Sequence, residues 1–243
     1  DGLGRIFSSR LFYERVFRRF LEKTYFILHN FFFHHTVVLN SSDYIYFLNK
    51  SINNPSNISI LPGTGINKEY FKFNPRYEID FSKQYITMIS RLNNQKGINN
   101  FLSLVYIYNF IFRDLIKQTI KFRIVVPIND VSKLKKLIKE NKSISDFLLI
   151  EHYSLDVRKV YDSSICIVHP TMYGEGLPRI YLEAASCGVP VITTKNPGYV
   201  DFYEDFKTAL IVENNNPKQI LDKIKELLED SNLRRAIIDN AKN

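Results

Sequence analysis

Two glutamates, Glu175 and Glu183, stand with seven residues between them in the run His169–Thr194, HPTMYGEGLPRIYLEAASCGVPVITT. Gly174 and Gly176 flank Glu175 and let the backbone approach a ligand or take positive φ at little cost. A helix is expected from near Leu177 or Pro178, since proline fits a first helical turn, where its missing N–H would have had no partner. Unpaired N–H groups and the positive dipole end at such a mouth attract phosphate. A carboxylate beside phosphate would repel it, so Glu175 needs another target. Sugar hydroxyls are the natural one, because an ionised carboxylate accepts hydrogen bonds from vicinal O–H groups. Glu183 would lie roughly 12 Å further along the helix axis, a span that suits a sugar–phosphate–ribose ligand. As an isolated pair the two acids read more plainly as a helix cap and a solvated helix residue, so the surroundings must decide.

A second cluster carries the opposite charge. Tyr85–Ser90 (YITMIS) reads as a buried strand. Arg91 and Lys96 follow it in a short polar loop, and an apolar helix begins near Gly97. Both cations would sit at the carboxyl end of the strand and suit a diphosphate, arginine as a fork and lysine as a point charge. Alone, they could equally be ordinary cations of a basic protein.

The elements that must position these groups alternate. Strands are expected at 85–90, 122–126, 147–152, 165–169, 189–194 and 208–212. Helical patterns fall at 97–111, 132–140, 156–162 and 177–186, with two more at 218–228 and 232–240. Such alternation predicts an α/β unit with a parallel sheet covered on both faces. Upstream, Thr36–Asn40 and Ile58–Leu61 read as strands, with Ser42 or Asp43 as a helix cap between them. Pro62–Asn67 is turn-rich.

Taken together, these stretches resemble the group 1 glycosyltransferases (glycosyltransferase family 4), which have the GT-B fold. EGLPRIYLEAASCGVPVITT matches that family's paired-glutamate motif, its small-residue helix end and its Gly-x-Pro-Val-Ile continuation. Pro197 and Gly198 keep a downstream Pro-Gly pair, and Asp201 or Glu204 could supply the acid after it. Arg91-Leu92 and Lys96-Gly97 match the family's Gly-Arg-Leu and Lys-Gly, with Ser90 in place of the glycine. Pro62–Asn67, followed by Tyr70-Phe71, is similar to its hinge. Val126-Pro127 departs from a glycine-containing turn and removes one N–H.

The resemblance implies a Rossmann-like donor domain with a parallel sheet, over residues 77–243 and lacking the final crossover helix. It implies an incomplete part of the N-terminal acceptor domain over 1–76, so the chain reads as a fragment that need not catalyse alone. It also implies a retaining transfer of a hexose or N-acetylhexosamine from a nucleotide sugar, UDP being the expected nucleotide. Arg91 and Lys96 would hold the diphosphate, Glu175 the donor hexose, Glu183 the ribose, and Gly174, Gly176 and Leu177 the phosphate side of the turn. Tyr153 would lie near the base. No cofactor and no metal are expected. The partners implied are the nucleotide-sugar donor and a glycan acceptor carried on polyprenyl diphosphate, in surface polysaccharide or glycoprotein glycan synthesis. Two alternatives stay open: a non-catalytic nucleotide-sugar-binding or scaffold protein, and another GT-B enzyme such as an epimerase or glycogen-type synthase.

Composition narrows the rest. Hydrophobic residues make up 45% of the chain, enough for a substantial core. With two cysteines, Cys166 in a strand pattern and Cys187 at a helix end, free buried thiols are expected rather than a disulfide. His34-His35 has no third ligand at metal-site spacing, and His169 reads as a core histidine. The net charge of +8 comes with no nucleic-acid motif, so no nucleic-acid partner is expected. No apolar run reaches the ~18 residues that would span a bilayer. Lys133–Lys142 reads as a solvated helix face. Near the start, Phe12, Tyr13, Val16, Phe17, Phe20 and Leu21 form an apolar stripe opposite Arg15, Arg18, Arg19, Glu22 and Lys23. Such a segment fits an anionic bilayer surface, or else a helix packed on its domain with a solvated basic face. The expected location is cytoplasmic, with the inner face of the cytoplasmic membrane as a peripheral site.

Overall fold

A computed structural model describes residues 12–50, 55–61, 63–113, 119–139, 142–154, 156–172, 174–199, 201–213 and 215–242. The chain divides into two compact units. The first comprises Asp1–Ile66, Tyr173–Arg179 and Asn196–Phe202. The second comprises Asn67–Met172, Ile180–Lys195 and Tyr203–Asn243. Residues 67–76, ahead of the sequence-based boundary after residue 76, thus go with the second unit. The Ser186 hydroxyl donates to the Phe71 carbonyl at 2.5 Å, and a Cβ on Gly188 would lie 2.9 Å from Pro75 Cα.

In the first unit, helix α1 (Phe12–Phe31) precedes two parallel strands, β1 (Thr36–Val38) and β2 (Ile58–Ile60), with α2 (Ser41–Asn49) between them. Val38, Phe47 and Ile58 form its small core, with Tyr25, Tyr44, Tyr46 and Leu48 packed on it. The helix cap is Asn40, whose Oδ1 accepts from Asp43 N at 2.7 Å, rather than Ser42 or Asp43. Asn40 is extended (φ −156°, ψ 163°), the conformation a capping side chain needs to reach back. Helix α1 turns its face bearing Glu22, Tyr25 and His29 inward: Glu22 accepts from the Tyr46 phenol, and His29 meets Thr36 Oγ1 at 2.6 Å. The stripe of Phe12, Tyr13, Val16, Phe17 and Phe20 is exposed.

The second unit holds a six-stranded, fully parallel sheet. Its strands are β3 (Tyr85–Ile89), β4 (Phe122–Val126), β5 (Leu148–His152), β6 (Ser164–His169), β7 (Val191–Thr194) and β8 (Leu210–Val212), in the order β5-β4-β3-β6-β7-β8. All six predicted strands form, each within two residues of its expected start. Every residue of β4, β6 and β7 is buried, as a parallel sheet covered on both faces requires. The covering helices are α3 (Ile98–Ile107), α4 (Ile128–Lys139), α5 (Lys142–Ser145), α6 (Arg158–Asp162), α7 (Arg179–Cys187), α8 (Pro217–Glu229) and α9 (Ser231–Ala241). Helix α3 ends in a π-helical turn, Tyr108–Phe112, and the Tyr108 phenol accepts from Ile120 N at 2.8 Å. Lys133, Lys135, Lys136 and Lys139 of α4 are exposed, as expected.

Both cysteines are free and buried. His169, 3% exposed, meets the Tyr181 phenol at 3.0 Å inside the core. Among the described residues no helix is long and apolar enough to cross a membrane. No group of three or more His, Cys, Asp or Glu among them could hold a metal ion.

Candidate active site

The strand order reverses direction between β3 and β6, the two central strands. In open parallel α/β sheets the crevice beyond the carboxyl ends at such a switch point is where ligands bind. The loop after β3 carries Arg91, exposed, and Lys96, half-buried. Its backbone is pinned at both ends. Leu92 N donates to the Asp130 carboxylate at 3.0 Å. Asn93 Oδ1 accepts from Gln95 N at 2.9 Å and caps the short turn Asn94–Lys96.

Gly97 closes that turn at φ +80°, and an ideal Cβ there would lie 1.9 Å from the carbonyl oxygen of Pro170, just after β6. No side chain fits between these two loops. Met172 N donates to the Gln95 carbonyl at 2.8 Å, and Asn215 Nδ2 donates to the Pro170 carbonyl at 2.7 Å. The loops beyond the two central strands are thus latched to each other, backbone to backbone.

Glu183 lies on α7, and the phenol of Tyr161, buried on α6, donates to its Oε2 at 2.7 Å. Tyr153 follows β5. Burial raises its phenol's pKa, the Glu183 charge raises it further, and the Arg91 charge opposes them. Arg91, Tyr153 and Glu183 therefore share one electrostatic neighbourhood in the second unit, and Lys96 is on the same loop as Arg91.

Gly174, Glu175, Gly176 and Leu177 belong to the first unit. Glu175 lies four residues before the first helical residue, Arg179, so the helix-rise distance to Glu183 does not apply, and the helix starts later than Leu177 or Pro178. The turn is held closely. Asn40 Nδ2 donates to the carbonyls of Glu175 at 3.3 Å and Gly176 at 3.2 Å. A Cβ on Gly198 would meet the Gly176 carbonyl at 2.6 Å, which accounts for glycine after Pro197. Asp201 accepts from the Ser41 N–H and hydroxyl, while the Glu204 carboxylate pairs with Lys207 at 2.9 Å.

Sequence reasoning missed Tyr161 and Asn40. Tyr161 lies 22 positions from Glu183 and Asn40 lies 135 from Glu175, and no local pattern connects groups so far apart.

A parallel sheet doubly wound about a switch point defines the open α/β class, whose ligand crevice lies beyond the carboxyl ends of the central strands. Residues 71–243 match the family model described as "Glycosyl transferases group 1", and the chain belongs to that family. A capsular polysaccharide biosynthesis glycosyltransferase of Staphylococcus aureus, CapM, is 37% identical over 39% of this chain and 24% of its own length. The N,N'-diacetylbacillosaminyl-diphospho-undecaprenol alpha-1,3-N-acetylgalactosaminyltransferase of Campylobacter jejuni is 24% identical over 99% of this chain and 63% of its own. The fold is that of GT-B glycosyltransferases. HepE of Anabaena, solved in complex with UDP, superposes with a TM-score of 0.75 at 15% identity, over 93% of this chain and 63% of that one. The chain spans less than two thirds of the length of each of these relatives.

Proposed function

We propose that the protein containing this chain is a retaining glycosyltransferase that moves a hexose or N-acetylhexosamine from a UDP-sugar to a glycan acceptor carried on polyprenyl diphosphate. One observation carries this reading most: the latched loops at the β3/β6 switch point, with Arg91 and Lys96 on one of them. Negative charge grows on the departing diphosphate during transfer. Fixed cations stabilise that charge because they need no reorganisation as it develops. In this reading Arg91 and Lys96 take the diphosphate without a bound metal, Glu183 accepts from the ribose hydroxyls, Tyr153 lies by the base, and Glu175 holds the sugar. Gly174, Gly176 and Leu177 bring backbone to the phosphate side.

The site of action proposed is the cytoplasmic face of the membrane. The stripe of Phe12, Tyr13, Val16, Phe17 and Phe20 is exposed beside Arg15, Arg19 and Lys23, a composition suited to an anionic lipid interface. Flotation with anionic and with neutral liposomes tests this; equal, negligible binding to both would remove it.

The donor site is tested by calorimetry of this chain with UDP and UDP-glucose, followed by transfer assays on the full-length parent. Binding lost in Arg91→Ala and Glu183→Ala is the expected result. Unchanged affinity in both would overturn the assignment, and binding without transfer to any lipid-linked glycan would favour a non-catalytic role.

A further inference from the structure

Asn40 is 2% exposed, and its side-chain amide works in two directions. Its oxygen accepts from Asp43 N and caps α2. Its nitrogen donates to two successive carbonyls, those of Glu175 and Gly176, and lies 3.3 Å from Asp43 Oδ2. A helix cap needs only the oxygen, so capping alone leaves the contact of the nitrogen with the motif turn unexplained.

In a planar trans peptide the C=O and the following N–H point in opposite directions. Drawing the carbonyls of Glu175 and Gly176 toward Asn40 therefore aims the N–H groups of Gly176 and Leu177 away from it. Successive backbone N–H groups presented on one side of a turn make an anion-binding concavity. Gly176 adds no side chain to obstruct it.

We propose that Asn40 is a positioning residue for nucleotide-sugar binding: by holding two consecutive carbonyls it orients the N–H groups of Gly176 and Leu177 toward the donor's phosphate and fixes the backbone that carries Glu175. The proposal rests on the donor-binding reading above. Asn40 touches no donor atom; it acts through the turn.

Two variants separate this role from capping. Asn40→Ser keeps a competent cap oxygen and removes the amide nitrogen. Asn40→Asp keeps size, shape and cap, and at neutral pH places a carboxylate against two carbonyls. Both should retain a cooperative thermal transition. Losing one or two net hydrogen bonds corresponds to UDP binding weakened roughly five- to thirtyfold, with Asn40→Asp the worse. A protonated carboxyl regains a donor. Affinity of Asn40→Asp relative to wild type should therefore recover between pH 7 and pH 5, while Asn40→Ser shows no such recovery. Because Asp43 Oδ2 lies 3.3 Å away, a carboxylate at position 40 also repels Asp43 until it is protonated. A purely structural role would therefore lower the thermal midpoint of the variants while leaving the UDP affinity of the folded protein unchanged. Calorimetry with UDP on the full chain decides. Wild-type binding with both variants within twofold of it at pH 7 overturns the role of Asn40 and leaves the donor reading standing. Absence of binding in the wild type overturns the donor reading, and this inference with it.

Discussion

The Tyr161 phenol, buried beneath α7, donates to Glu183 Oε2 at 2.7 Å. It limits the rotamers that the carboxylate can adopt. Burial first, and then the Glu183 charge, raise the Tyr161 pKa well above its ordinary value, so it stays a donor throughout the usable pH range. A hydrogen bond to a charged group is worth about 1.5–3 kcal/mol. Tyr161→Phe should lower stability by about that amount and weaken UDP binding several-fold. Urea unfolding and calorimetry on the same sample check both; lowered stability with unchanged affinity would reduce Tyr161 to a packing role.

Much of the second unit was legible because parallel strands are continuous apolar runs. Phe122–Val126, for example, has a strand's length and composition, and its neighbours leave no competing period. Boundaries were harder. Helix α4 begins at Ile128 rather than 132, because the Pro127 carbonyl accepts from Asp130 N at 2.8 Å and starts a turn before the apolar period appears. The amphipathicity of α1 was visible, but its orientation was not. Periodicity locates two faces without saying which is buried, and the inward face is built from Glu22, Tyr25 and His29, which make specific polar and ring contacts. The cation loop was legible as a composition. Its latch through Gln95, Gly97 and Pro170 was not, because backbone-to-backbone contacts leave only a glycine as their trace.

Gly97 is that trace. Its φ of +80° and the 1.9 Å approach to the Pro170 carbonyl act together. Gly65 has a similar φ of +68° but nothing within 4 Å of an added Cβ. Gly65→Ala should therefore cost only the left-handed backbone, about 1–2 kcal/mol. Gly97→Ala should cost more and shift the Arg91–Lys96 loop as well. Comparison of the two unfolding midpoints, with UDP affinity alongside, tests the latch; equal effects would argue against it.

Burial first, then the charges of Asp162 and Glu183, push the Cys187 thiol up to about 12 from 9.0, and burial raises Cys166 as well. Neither thiol should react with a disulfide reagent at pH 8 in the folded protein, and both should react in guanidinium. The sign for stability follows. Below pH 9 both states hold the Cys187 proton, so nothing changes there. From pH 9 to about 12 the unfolded thiol ionises while the folded one does not, and stability falls with rising pH. Cys187→Ala should make that alkaline limb shallower. An unchanged slope would show that Cys187 does not contribute to it.

The chemistry proposed for the β3/β6 switch point separates the two cations by kind as well as by place. Arg91 presents a planar fork that can grip two phosphate oxygens, whereas lysine offers a point charge. Arg91→Lys keeps the charge and loses the fork, so UDP affinity should fall by about tenfold, the worth of one charge-assisted hydrogen bond. Lys96→Arg keeps the charge on a longer, planar head and should be tolerated better than Arg91→Lys. Because Arg91 is exposed, its contribution should be screened by added salt, the Debye length shrinking from about 10 Å at 0.1 M to about 3 Å at 1 M. Wild-type affinity should therefore decline with ionic strength, and Arg91→Ala should flatten that dependence. A dependence equally steep in Arg91→Ala would mean that the diphosphate is gripped elsewhere, and the cation loop would then be a structural latch alone.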